Sequence, residues 1–264
     1  GGYALAAVAT TATVVQHTFG PWTTLFFIVA AAAFVRILET DDALWTYLIR
    51  EDGPVENGTS LALGVAAVLF AAGAYRRRDT SYHRAFCAVF SMLLVVASLE
   101  EISWGQRILG IDSPQFFLEN NAQQETNIHN TLQQWFPFTC PICTDGLLLT
   151  KHVVIAGLMA YGFVLPALLH IPTLTRFGLT RYLLYPPLFL SPVILIGAAF
   201  MFDRYDPSFG NEEEVGELLL AGYLILFGWH VAASRSCCRR MEMVFEAATP
   251  VSDRPPAHAG ARPR

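Results

Sequence analysis

Residues 22–38, 58–75, 84–99, 147–169, 184–202 and 218–233 each carry at most one or two ionisable groups. Each run is close to the roughly 17 to 25 residues that cross a bilayer as a helix. Lipid offers the backbone no hydrogen-bonding partner, so such runs fold as helices whose amides bond within the segment. The pattern predicts an all-α polytopic transmembrane bundle with six spans. Residues 3–17 are apolar enough for a seventh, separated from the next span by Gly20 and Pro21. A single helix from 3 to 38 would be about 54 Å long. Only 15% of the chain is charged, against about 25% in globular proteins, which excludes a soluble globular domain.

Charge alternates between the connections. The loops 76–84 and 171–183 and the tail from 234 hold four, two and six arginines against one, no and three acids. The loops 39–57 and 203–215 each hold one arginine, against six and five acids. Arginine and lysine collect on the cytoplasmic side. The basic set, including the C-terminus, therefore faces the cytoplasm, and the expected location is a bacterial inner membrane. The acidic set, with the long loop 105–145, faces out.

Residues 1–246 read as one transmembrane helical domain. From 247 to 264 the chain turns to Pro, Ala, Arg and Gly, which bury too little apolar surface to offset ordering, so a disordered tail is expected. In the long outer loop, Ser113 and Pro114 read as an N-cap and first helical residue. From Glu125 on, positions 125, 128, 129, 132 and 136 share one helical face, predicting an interfacial helix with Ile128 and Leu132 turned inward. Cys140 and Cys143 lie in the same outer loop, where a local disulfide is the default and a zinc site with His129 the alternative.

Four polar clusters meet on the outer side: Arg50–Glu56, Glu100–Gln106, Asn121–Asn130 and Glu212–Glu217. Glu100 and Glu101 end an apolar run, where acids cost several kcal/mol unless paired, protonated or metal-bound. The alternative is a span that ends at Glu100, with Trp104 as its interfacial aromatic. Glu125 and His129, four apart on one helix, would stack like two ligands of one ion, surrounded by the amides of Asn121, Gln123, Gln124, Asn127 and Asn130. Asn211 with Glu214 resembles a capping box, which accounts for Glu212, Glu213 and Glu214. Glu217 lies a turn deeper, and Glu56 just precedes an apolar run. Lys151, with His152, is a candidate counter-ion or a snorkelling lysine. No phosphate loop, HExxH or GxSxG is present, and no basic aromatic stretch suggests nucleic acid.

The strings REDGPVE (50–56), EEISWGQ (100–106) and NAQQETNIHN (121–130) resemble those of a group of uncharacterised bacterial polytopic membrane proteins. The resemblance implies a fold and no reaction. The chain is also loosely similar to seven-helix membrane hydrolases of the alkaline ceramidase and adiponectin receptor type. Those hold zinc through three histidines, two in an HxxxH pair, whereas His230 here is followed four residues later by Ser234.

Two classes of function fit. One is a membrane enzyme acting on a lipid or apolar substrate through a divalent ion (iron, manganese, calcium or zinc). Glu56, Glu100, Glu101, Glu125, His129 and Glu217 would hold the ion, with Glu100 or Glu101 as general base. The other is a non-catalytic subunit of a larger membrane assembly, or a cation-conducting protein, whose acids and amides fix helix packing. Its partners are membrane lipids and other membrane proteins.

Overall fold

The computed structural model describes residues 2–50, 52–76, 81–121, 123–135, 138–139, 147–148, 150–169, 171, 182–201 and 212–233. The side chains of 2–20, 129–130, 133–134, 138–139, 147–148 and 150–152 are outside this description. The described chain is helical apart from turns and one two-residue antiparallel pair, β1 (Phe138–Thr139) with β2 (Leu147–Leu148). The long elements are α1 (Gly2–Thr40), α2 (Asp42–Ile49), α3 (Pro54–Arg76) and α4 (Ser81–Glu101). Short helices α5 (Gln106–Leu109), α6 (Gln115–Asn120) and α7 (Ile128–Trp135) follow. Then come α8 (Thr150–Met159), continued by α9 (Leu165–Leu168), and finally α10 (Ser191–Phe200) and α11 (Glu212–Ala233).

Helix α11 is the hub, with 61% of its apolar window buried against 17% for the peripheral α4. Small residues let its neighbours approach closely, as membrane helices require when apolar burial alone gives no drive to associate. An added Cβ on Gly73 of α3 would lie 2.8 Å from Val231, and one on Gly228 3.0 Å from Leu69. These contacts set α3 and α11 parallel. Helix α4 runs antiparallel to α3, clasped by two serines: Ser60 Oγ donates to the Ser98 carbonyl and Ser98 Oγ to the Ser60 carbonyl, each at 2.8 Å. Further along, Ser91 Oγ donates to the Ala67 carbonyl at 2.8 Å. Between α10 and α11, a Cβ on Gly216 would meet Met201, including its backbone nitrogen at 2.9 Å.

The register puts Pro54, Glu101 and Glu212 at one end of the bundle and Arg76, Ser81 and Ala233 at the other. Tyr82 and Tyr182 are in edge contact at 5.0 Å, so the end of the 171–183 connection joins the Arg76 end. This two-ended arrangement matches the alternation of charge. Most of loop 203–215 and all of the tail 247–264 lie outside the described residues.

Among the described residues, four helical segments are long and apolar enough to cross a membrane: Pro21–Thr40 of α1, α3, α4 and α11. The runs expected at 147–169 and 184–202 yield only the shorter apolar helices Val153–Leu168 and Leu188–Phe200. Pro186 and Pro187 hold the second in extended backbone before its helix starts, because proline lacks the amide a helix interior needs. The first includes a π turn over Ala160–Val164. There the absent Cβ of Gly162 leaves room for Tyr223 Oη and Ile194 Cδ1, which it would otherwise meet at 2.6 and 2.4 Å. The break expected at Gly20 and Pro21 is also missing, since α1 runs unbroken with Pro21 inside it. Proline removes one amide from the ladder, and an apolar helix passes through because its other amides have no better partner in lipid.

Gly216→Ala should therefore separate α10 from α11. Overpacking against a backbone atom costs about 1–3 kcal/mol, and a lower midpoint of thermal unfolding in detergent is the expected readout.

Candidate functional site

At the end of α4 the backbone makes a turn that only Gly105 can adopt without strain. Ser103, Trp104 and Gly105 have φ of 46°, 57° and 73°, and left-handed backbone costs a non-glycine residue roughly 1–2 kcal/mol. The turn brings the Trp104 indole back onto its own helix, where Nε1 donates to Glu100 Oε1 at 2.5 Å. The other oxygen, Oε2, accepts the N–H of Ile128 at 2.6 Å. Ile128 is the first residue of α7, so Glu100 caps that helix from a distant element, an anion at the positive end of a helix. Asn127 Nδ2 donates to the Glu100 carbonyl at 3.1 Å.

The neighbouring loop is tied down in the same way. Gln106 Oε1 accepts the N–H of Thr126 at 2.8 Å. Buried Asn121 donates from Nδ2 to the carbonyls of Glu125 and Asn127, at 2.9 and 3.0 Å, and its Oδ1 accepts the N–H of Gln123. Ser103 Oγ donates to Glu125 Oε2 at 2.5 Å. Arg107 bridges two motifs: Nη1 lies 2.5 Å from Asp52 Oδ2, while Nη2 pairs with Glu125 Oε1. At the start of α3, Glu56 Oε2 accepts the N–H of Asp52, and Asn57 Nδ2 donates to the carbonyls of Asp52 and Gly53, both at 2.9 Å.

This network corrects the helix expected from Glu125. Asn121 and Glu100 claim the backbone of residues 125–128, so helix begins only at Ile128 and Glu125 is not on one helix with His129. The inward face differs too: Ile128 is 48% exposed, whereas Thr131 is 4% exposed, with its hydroxyl donating to the Asn127 carbonyl. Ser113 is not the expected N-cap. Its hydroxyl donates to the Gln124 carbonyl at 2.6 Å, and α6 starts at Gln115. The side chains of His129, Lys151 and His152, and Cys140 and Cys143 altogether, lie outside the described residues.

A second set of acids is arranged differently. The antiparallel register of α3 with α4, and the parallel register of α3 with α11, place Glu56, Glu101 and Glu214 at one level. Among the described residues, the charged groups acting on the Glu101 carboxylate are Glu214 first, then Glu56 and Glu100. All are acids. Glu212, wholly buried, begins the same turn of α11 as Glu214. Glu217 sits half-buried one turn below. The level therefore takes Glu214, which helix capping alone seemed to explain, in place of Glu217. Arg107 was also missed; as the one arginine or lysine of the 105–145 loop, set against its acids, it was the available signal.

Among the described residues no group of three or more His, Cys, Asp or Glu is arranged to hold an ion. Glu125 is neutralised by Arg107, and both oxygens of Glu100 serve N–H donors. Of the six ligands expected from sequence, Glu100 and Glu125 belong to the hydrogen-bonded lock and Glu56 and Glu101 to the layer of carboxylates, Glu217 lies a turn below that layer, and the His129 side chain is outside the described residues.

No family model, curated protein or solved structure matches this chain.

Arg107→Ala should strand Glu125 in the lock. Removing one partner of a buried pair costs about 3–5 kcal/mol, and the 28% exposure of Arg107 reduces that to about 2 kcal/mol. Arg107→Lys keeps the charge but not the two-armed reach, and should recover part of the lost unfolding midpoint in detergent.

Proposed function

We propose that this chain is an integral membrane enzyme whose non-cytoplasmic end carries a carboxylate site, with Glu101 moving protons to and from a lipid or other apolar substrate. The observation that carries this reading is the acid layer itself. Three helices deliver Glu56, Glu101 and Glu214 to one level at the edge of the apolar slab, with acids as the charged neighbours of Glu101. Such repulsion is costly in a low dielectric, and ionisable groups held at that cost inside membrane helices mark working sites. Glu101, rather than Glu100, takes the general acid–base role, because Glu100 already serves Trp104 and Ile128. The outward orientation, the cytoplasmic C-terminus and the bacterial inner membrane are supported by the alternation of charge. The three motif strings support kinship with the bacterial polytopic group they resemble.

The second reading is a structural subunit of a larger membrane assembly. It is favoured by the way Asp52, Glu100, Ser103, Gln106, Arg107, Asn121 and Glu125 satisfy one another, since a lock of this kind needs no substrate.

The two readings differ in sign. Glu101→Gln puts a neutral amide in place of an acid set among acids, so the unfolding midpoint in detergent should hold or rise, whereas loss of a structural acid should lower it. In cells lacking the chain, mass spectrometry of membrane lipids should show a change that the wild-type chain reverses and Glu101→Gln does not. A fall in midpoint as large as that of Arg107→Ala, or full restoration of the lipid profile, defeats the enzyme reading.

Metal analysis of the purified protein bears on the same site. Bound iron, manganese, calcium and zinc should each stay well below one per chain, and a chelator should leave the unfolding midpoint unchanged.

A further inference from the structure

The segment that follows α4 has two unlike faces. Gln106 and Arg107 turn inward, to the Thr126 amide and to Asp52 and Glu125. Ile108 and Leu109, the next two residues, are 73% and 67% exposed, and Ile111, Phe116 and Leu118 are exposed as well. Trp104 joins them: its Nε1 is bonded to Glu100 while its ring is exposed. Trp135 of α7 is exposed too, with its ring edge-on to Phe116 at 5.5 Å and its Nε1 donating to Asn120 Oδ1 at 3.2 Å. So many exposed apolar side chains within one short segment require a covering partner.

We propose that residues 104–118, together with Trp135, form an apron seated in the headgroup and upper acyl region of the outer leaflet, with lipid as the covering partner. The place of the segment argues for lipid. It starts three residues after a membrane-length helix ends at Glu101. That helix is itself apolar and exposed at Val89, Met92, Leu93, Val95 and Val96. The two tryptophans fit the same level, each with its indole N–H bonded to the protein and its ring exposed, as tryptophans at a membrane–water boundary are. The inward tethers to Thr126, Asp52 and Glu125 keep the aliphatic side chains turned outward. The apron also lies beside the acid layer, so a lipid held there would be next to Glu101. The seat rests on the membrane assignment alone and stands even if Glu101 has no chemistry.

Nitroxide labels test this directly. Ile108, Leu109, Ile111 and Asp112, all exposed, would be replaced one at a time by labelled cysteine, with Cys140, Cys143, Cys237 and Cys238 changed to serine. Cys87 is buried. In nanodiscs of phosphatidylcholine and phosphatidylglycerol, labels at 108, 109 and 111 should collide with oxygen several-fold more than with a water-soluble nickel chelate. At 112 the preference should reverse. High nickel access at all four positions overturns the proposal. So does protection from both reagents, which would mean that protein covers the face. As a check on unlabelled protein, lipids brominated near the headgroup should quench wild-type fluorescence more than that of Trp104→Phe. Equal quenching counts against the seat.

Discussion

Glu100 is buried where α4 leaves the apolar slab, and a carboxylate there must find donors or become a large liability. Two of its donors come from outside the packed spans. One is the indole of Trp104, four residues on, and the other is the first amide of α7, 28 residues away in sequence. The requirement of one buried acid thereby dictates the left-handed turn at residues 103–105, the starting point of α7 and the line of the chain between them. Arg107 repeats the logic for Glu125 and extends it to Asp52. Three sequence strings far apart in the chain become one object because each supplies what another lacks.

Below that lock the helices are held by a different principle. Lipid gives apolar side chains no reason to prefer each other, so close approach and backbone-directed hydroxyls decide the register. Ser60 and Ser98 fix α4 against α3, while Gly73 and Gly228 fix α11 against α3. Registers set in the helix interior also determine what meets at the ends. Glu56, Glu101 and Glu214 fall together because the serine clasp one turn deeper and the glycines several turns deeper fix the alignment of the helices. The repulsion among them is therefore sustained by packing elsewhere, as strain at working sites commonly is.

Much of this was legible in the sequence. Apolar run length gave the membrane helices α3, α4 and α11, and alternating charge gave the two ends, which the parallel setting of α3 and α11 and the contact of Tyr82 with Tyr182 reproduce. What escaped reading has no period. Residues 184–187 are as apolar as a helix, and only the paired prolines show that the backbone is extended there. The i, i+4 spacing of Glu125 and His129 suggested a shared ligand, yet a single amide side chain, Asn121, holds the intervening backbone out of helix. Side-chain-to-backbone bonds of this type carry much of the outer end, and they leave no signal in hydrophobic pattern.

The adjacent acids Glu100 and Glu101 make sense only in three dimensions. Successive residues on a helix point about 100° apart, so one turns toward the loop and the other toward α3 and α11. Glu100 accepts N–H groups on both oxygens and anchors a fold. Glu101 instead faces the acids Glu214 and Glu56. A single acid at this boundary could meet one demand or the other, since the donors that quiet a carboxylate also remove its basicity. Placing two in sequence separates the roles. The first fixes the orientation of the helix end, and that orientation aims the second at the layer of acids.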